Sequence, residues 1–456
     1  MAEVLSAIYA ACDPDRPASS QYYVDCAEVR GSRALAQKFQ GHLARAQDAG
    51  KKLCFLFSGH IGCGKSSELR QLEHALTSPA APHKRYFPIL VDINDYLDYL
   101  DIDTTDLLLA IVTELAHQFR EKLGRELKHD YFDKLLNNIK SSILTEVEIK
   151  EAEISLWGAK LKIQRLKRDP EARRKIREAL DPRLATLLEE TNLLLEAAHL
   201  ELKKIAVLSK ESPYTDLVLI IDNLEKIQRF TGKEQGLPSE QELFVERYAQ
   251  LKGIQAHIIY TVPLRLVRSH GPQLEQLYGV APLVLPMVKV IERGTYQPFT
   301  LGRECLKDLL GKRLGGRPLD GVFTTEALDF LLTYSGGHVR SLMVFIQEAC
   351  TYGHLPITLQ DMRRAVGNTV SNFSTSIKED YWVKLARLEL SDDQKIPNGD
   401  PDYLVMLQNI NVLEYINGGE ESSFMTDEPW YAVHPIVREL QKFRAAKQAL
   451  IKVPER

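Results

Sequence analysis

A run of apolar residues that stops at a glycine loop constrains this chain more than any other feature. Residues 53–57 (Leu-Cys-Phe-Leu-Phe) have the content of a buried strand, and Gly59-His60-Ile61-Gly62-Cys63-Gly64-Lys65-Ser66 follows almost at once. That octet fits G-x-x-x-x-G-K-[ST], the Walker A phosphate loop. Ser67 to Ala75 then reads as the opening of a helix. Strand, glycine loop and helix together aim backbone N–H groups and a positive helix end at a polyphosphate. Gly62 and its neighbours Gly59 and Gly64 permit turns that a Cβ blocks. Lys65 sets a point charge on the β- and γ-phosphates, Ser66 offers a hydroxyl to Mg²⁺, and Ser67 reaches the α-phosphate. His60, Ile61 and Cys63 complete the loop, with Cys63 read as a small filler rather than an activated thiolate. The cofactors expected are ATP/ADP and Mg²⁺. No guanine-reading N-K-x-D motif follows the strands.

A second signature supports the first. Five apolar residues, Leu217 to Ile221, end in Asp222. Such a run suits a strand of a parallel sheet covered on both faces. Asp222 stands at the strand's carboxyl end, where a carboxylate holds Mg²⁺ through water together with Ser66. Glu225 is the candidate for orienting or deprotonating the attacking water. Tyr86 to Ile93, His257 to Val262 and Pro282 to Val290 read as further strands, and Asp103-Thr104-Thr105-Asp106 as the N-cap of a helix over 107–123. Thr261 has two readings, a γ-phosphate sensor or a strand-end hydroxyl bonded to backbone. Arg265 and Arg268 also have two: phosphate-contacting arginines, in cis or across a subunit boundary, or surface residues.

The fold class expected is α/β: a P-loop NTPase core with a parallel sheet over 1–300, a helical lid over 301–372 and a winged helix over 373–456. Residues 1–20 read as a loosely ordered lead-in broken by Asp13-Pro14-Asp15-Arg16-Pro17, and Glu28 opens a helix to about Ala46. Residues 124–212 form a helical insertion, with a β-hairpin read in 147–166 and a leucine-rich helix from Pro182 to Ala206 that packs within the chain. The basic stretch from Lys160 to Arg177 is a solvated face, or else a partner or nucleic-acid surface. In the lid, a helix over 324–334 ends at Ser335-Gly336-Gly337, and Arg340 opens the next helix within reach of phosphates. The winged helix comprises a helix over 403–410, strands over 412–416 and 430–433, and a helix over 436–442. Its presumed recognition helix offers Gln408, Asn409 and Asn411 but no Lys or Arg. A DNA reader needs phosphate-neutralising charge, so an intramolecular or protein-binding unit is favoured.

The overall charge is nearly balanced, 58 basic against 62 acidic residues, which gives no global attraction to nucleic acid or anionic membrane. Six cysteines (12, 26, 54, 63, 305, 350) lie scattered without a C-x-x-C pair. With no signal-peptide pattern and no run of 18 apolar residues, a cytoplasmic protein without a membrane span is expected.

The order of these signatures, from Walker A through acidic strand, polar strand and glycine-arginine lid to winged helix, resembles the STAND branch of the AAA+-like P-loop ATPases. More loosely it resembles origin-recognition-type loaders. The resemblance covers roughly residues 20–445. The spacing of Asp222 and Glu225 is similar to that of STAND and KAP-type ATPases, and Glu28-Val29-Arg30-Gly31 to their linker near the adenine. Asn223 stands where many ring-forming ATPases place a catalytic Glu. The segment Tyr431 to Leu440 resembles the Met-His-Asp region of nucleotide-binding immune receptors, and by that resemblance His434 is an ADP latch. Three places depart from the pattern: Val339 stands for a lid Pro, Val262-Pro263 for an Arg after the sensor, and Pro435 for the motif's Asp. The resemblance implies a slow ATPase switch that forms homo-oligomers and acts on a protein effector in trans, in a setting such as bacterial antiphage or conflict signalling. A DNA-associated loader or transposition regulator is the alternative, with nucleic acid not favoured as partner.

Overall fold

The computed structural model describes residues 1–31, 35–77, 85–96, 102–135, 170–209, 214–227, 238–417 and 428–452. The hairpin expected in 147–166, the basic residues 160–168 and the acidic loop 418–427 lie outside them.

Five strands, β1 (Cys54–Gly59), β2 (Arg85–Asp92), β3 (Tyr214–Asp222), β4 (His257–Val262) and β5 (Leu283–Leu285), form one parallel sheet in the order β2-β3-β4-β1-β5. The chain is thus α/β, with helices on both faces. Alternation along the strands builds two cores. Phe55, Phe57, Leu90, Val218, Ile220 and Ile259 point to one face. Leu56, Ile89, Val91, Leu219, Ile221, Ile258 and Tyr260 point to the other. Helices Leu35–Asp48 and Lys65–Thr77 lie with the first core. Helices Thr104–Leu123 and Leu184–Ser209 lie with the second. The latter helix buries Leu187, Leu194, Leu195, Ala198 and Leu202, so it packs inside the chain as expected. Asp103 caps the former by accepting from Asp106 N, and Arg177 ion-pairs with Asp103 and Asp106. Arg174 pairs with Glu178 at 2.7 Å. These two basic residues therefore have partners within the chain.

The lid contains helices Thr300–Arg313, Thr325–Ser335, Val339–Cys350 and Leu359–Ser376. The C-terminal unit adds helices Tyr381–Leu390 and Pro401–Gln408, the antiparallel strands β6 (Val412–Ile416) and β7 (Pro429–Val433), and helices Pro435–Glu439 and Gln441–Lys452. Among the described residues no helix is long and apolar enough to cross a membrane.

Several expectations are corrected. Residues 1–20 are not a loose lead-in: helix Ala2–Ala11 buries Leu5 and Ile8 and packs on helix Val339–Cys350. The helix expected from Glu28 is a 3₁₀ turn, Glu28–Arg30, closed by left-handed Gly31 and separate from helix Leu35–Asp48. β5 ends at Leu285 rather than Val290, because Met287 N donates to Glu414 O and Lys289 N to Val29 O, which draws the chain out of the sheet. The boundary placed at 372/373 falls inside helix Leu359–Ser376, which buries Met362, Ala365, Val366 and Phe373 along its length. The helix expected over 436–442 is broken at Leu440, where the backbone turns extended.

Candidate nucleotide site

The carboxyl edge of the sheet brings the predicted residues together. β1 ends at Gly59, and Lys65 opens the helix that follows. Lys65 is buried, and its Nζ donates to Gly59 O at 3.0 Å and His60 O at 2.8 Å and ion-pairs with Glu225 at 3.1 Å. β3 ends at Asp222, in register with Asp92 of β2. Asp222 accepts from Asn223 N at 2.8 Å and from the Ser66 hydroxyl. Burial, and then the charge of Glu225, raise the Asp222 carboxyl to about 7. Burial pushes Glu225 upward too, but the charge of Lys65 and the hydrogen-bonding groups around the carboxylate together outweigh burial and hold it below the ordinary glutamate value. One Glu225 oxygen, Oε2, is buried without a hydrogen-bond partner.

Thr261 lies on β4, between the loop strand and the acidic strand. Its hydroxyl accepts from Leu224 N at 2.9 Å and donates to Ile221 O at 3.3 Å, which is the backbone-bonded reading. Leu224 N belongs to the turn that carries Glu225, so Thr261 fixes that turn, and its nearness helps lower the carboxyl. Left-handed Asn223 extends its amide to Asp92 Oδ1 at 2.8 Å. Asp92 is a site residue that the sequence reading did not single out, although a strand-end Asp was the same signal that exposed Asp222.

Each of the four variable loop residues is held by a distant segment. His60 Nδ1 donates to Leu407 O at 3.0 Å, while its Nε2 accepts from Glu414 N at 3.1 Å. These partners fix the neutral tautomer, and burial drives the ring pKa down to about 3. Ile61 O accepts from His338 Nε2 at 2.8 Å. Gly62 O accepts from Arg340 N at 3.1 Å. Gly62, at φ 85°, must be glycine, since a Cβ would meet His338 Nε2 at 2.6 Å and Arg340 Cβ at 2.7 Å. Cys63 O accepts from Arg30 Nη2 at 2.8 Å, and the other arm of that guanidinium reaches Pro286 O. Cys63 itself is buried, as a filler should be. The linker, the lid and the C-terminal unit thus converge on one loop.

The lid contact depends on His338. It caps helix Val339–Cys350 and bonds Ser341 Oγ at 2.7 Å, and burial lowers it to about 3. Arg340 lines the phosphate cleft with Gly64, Ser66 and Ser67, but its guanidinium pairs with Asp15 at 3.3 Å. The breaker segment Asp13–Pro17 lines the same cleft.

Arg265 and Arg268 are not free surface residues, since each is paired within the chain. Arg265 donates to Gln408 Oε1 at 2.6 Å and pairs with Glu240 at 2.7 Å. Arg268 holds the fully buried Glu414 through Nε and Nη2. Both lie on helix Leu264–Tyr278, which packs against helix Pro401–Gln408. The presumed recognition helix is therefore turned inward, onto the core.

His434 is not among the residues lining the phosphate cleft. Its Nδ1 accepts from Ile436 N at 3.2 Å as a helix cap, and its ring lies 4.5 Å from that of Phe373. Burial keeps it neutral.

Mg²⁺ fits this donor set. It prefers one or two carboxylates plus phosphate oxygens and water to an all-protein cage. Ser66 and Asp222 offer that minimal set, and among the described residues no denser cluster of metal-binding side chains occurs.

No protein-family model matches the chain, and no curated protein is significantly similar to it. Solved structures of similar fold include Orc1 of Aeropyrum pernix in complex with DNA, 12% identical, covering 92% of this chain and 94% of that one at a TM-score of 0.33. Cdc6p of Pyrobaculum aerophilum is 11% identical, with 97% and 98% covered and a TM-score of 0.38. Drosophila ORC bound to DNA is 11% identical, with 99% and 92% covered and a TM-score of 0.36. At that level of overlap they decide neither family nor function for this chain.

Proposed function

We propose that this chain is an AAA+-like ATPase of the STAND type, in which the state of the phosphate loop and the docking of the C-terminal winged helix are one switch. The observation that carries this reading is the His60 clasp: a residue inside the phosphate loop bonds Leu407 and Glu414 of the C-terminal unit at both ring nitrogens. The cleft supports a closed form. Its volume is about 120 Å³, below the roughly 300–1,000 Å³ usual for ligand pockets, so nucleotide entry requires the Arg340–Asp15 closure to open.

In the reaction proposed, Lys65 leaves its loop carbonyls for the β- and γ-phosphates. Glu225 then holds the attacking water, with its unpaired Oε2 as proton acceptor, while Thr261 keeps the carboxylate in place. Arg340 swings from Asp15 to the phosphates, and His434 is the candidate ADP latch if the C-terminal unit shifts. Mg²⁺, held by Ser66 and Asp222, would neutralise phosphate charge. The ligand must favour one docking state differentially, or no switching follows. Homo-oligomers and a protein effector in trans, as in antiphage signalling, remain part of the proposal.

Solution mass with ADP and with a slowly hydrolysed ATP analogue, alongside Lys65→Ala, tests the assembly half. An ATP-specific larger species that is lost in Lys65→Ala supports it, and one unchanged mass sinks it. Glu225→Gln tests the chemistry: ATP still binds and turnover collapses. Turnover equal to wild type would remove Glu225 from the reaction.

A DNA-associated ATPase is the second reading, favoured by the helix-and-ribbon form of the C-terminal unit. It uses the same switch, since undocking would free helix Pro401–Gln408 and make nucleic acid a partner. Salt-dependent DNA binding with ATP supports it, and no binding at low salt ends it.

A further inference from the structure

We propose that Cys26 and Cys305 are an oxidant-responsive pair, a modification site at which a peroxide closes a disulfide between the N-terminal linker and the lid. Their sulfurs lie 2.8 Å apart, with the Cys305 thiol donating to Cys26 Sγ. Cys26 is buried on the segment leading to the Glu28–Arg30 turn, and Cys305 is half-buried on helix Thr300–Arg313, which opens the pair to a small oxidant. The electrostatics agree. The hydrogen bond from Cys305 lowers the Cys26 thiol against the pull of burial, and the charge of Arg30 helps. Burial instead pushes Cys12 and Cys54 up to about 12 and Cys350 up to about 11.

The chemistry balances with hydrogen peroxide as oxidant. The Cys26 thiolate attacks a peroxide oxygen, the O–O bond breaks, and the departing hydroxide takes a proton as water, leaving a sulfenic acid. The Cys305 sulfur then attacks Cys26 Sγ, the S–O bond breaks, and the hydroxide leaves as water with the Cys305 proton. Two thiols lose two electrons, and one peroxide becomes two waters.

The place of the bond gives it a consequence. Four residues after Cys26, Arg30 holds the Cys63 carbonyl of the phosphate loop. On the Cys305 helix, Lys312 donates to Tyr23 O at 2.6 Å and Arg313 to Ala11 O at 2.7 Å. A disulfide would make this attachment of lid to linker covalent and hold the cleft shut. Only this consequence rests on the nucleotide-site reading; the disulfide itself does not.

The test treats the full chain with hydrogen peroxide and maps its non-reduced peptides by mass spectrometry. A Cys26–Cys305 cross-link is expected in wild type, reversed by dithiothreitol and absent in Cys305→Ser and in Cys26→Ala. Free thiols at both positions after other cysteines have oxidised would overturn the pair. Release of a fluorescent ADP analogue from the oxidised chain should be several-fold slower than from the reduced chain. Equal release rates would overturn the lid consequence, whereas a reduced chain that binds no ADP analogue would overturn the nucleotide site instead.

Discussion

Two aspartates on one strand, six positions apart, have opposite electrostatic fates. Asp216, at the amino end of β3, is surrounded by donors, Lys52, His257 at 3.5 Å and Leu217 N at 2.8 Å, with the His199 ring 3.3 Å away. Burial pushes its carboxyl up, but the bonds from His257 and Lys52 outweigh burial and hold it far below the usual range. Asp222, at the carboxyl end, sits among Glu225 and Asp92, and burial with that like charge raises it to about 7. One carboxylate is satisfied and stabilises the fold. The other is left among like charges, as the proposed Mg²⁺ site would need. Groups left in unfavourable surroundings by an otherwise consistent fold mark the site.

The largest test of that contrast removes the cation that makes the acidic end tolerable. Lys65→Ala should weaken nucleotide binding by about 100-fold or more in calorimetry, as loss of a buried charged contact does. Affinity within a few-fold of wild type would break the assignment. A paired exchange sharpens it. Asp222→Asn should cut phosphate release by about 100- to 1,000-fold without lowering the denaturation midpoint. Asp216→Asn should keep turnover and lose about 2–3 kcal/mol in denaturant melts. The reverse assignment of effects would contradict the comparison.

Stability against pH offers a smaller effect with a definite sign. The raised Asp222 pKa stabilises the fold below about pH 3.9, the unfolded value, and that contribution is lost as pH rises toward 7. His60 and His338, lowered to about 3, act on the other limb: their contribution is present above about pH 6.5 and is lost as pH falls toward 3. Wild type minus Asp222→Asn stability should therefore fall from pH 4 to 7, and wild type minus His60→Asn should fall from pH 6.5 to 4. Flat differences in chemical melts would refute these assignments.

Much of this edge was legible because its signals are local. Walker A, the five apolar residues before Asp222 and the polar strand around Thr261 each occupy a single short window, and all land on the same sheet edge. What was illegible depends on partners far along the chain. Helix Ala2–Ala11 finds its cover on helix Val339–Cys350, Arg268 meets Glu414, and His60 meets Leu407. No periodicity or spacing announces such contacts, so residues 1–20 read as loose and nothing in the sequence spoke against a surface reading of the arginines. β5 misled for the same reason: its apolar run continues to Val290, but its backbone bonds go to the linker and the winged helix.

Hydrogen exchange at the β6 amides, residues 412–416, tests the coupling of phosphate loop and winged helix most directly. The account predicts that exchange at Glu414 differs between ADP and a slowly hydrolysed ATP analogue, and that Lys65→Ala abolishes the difference. Identical protection of β6 in every nucleotide state, in a protein shown to bind both, would contradict it.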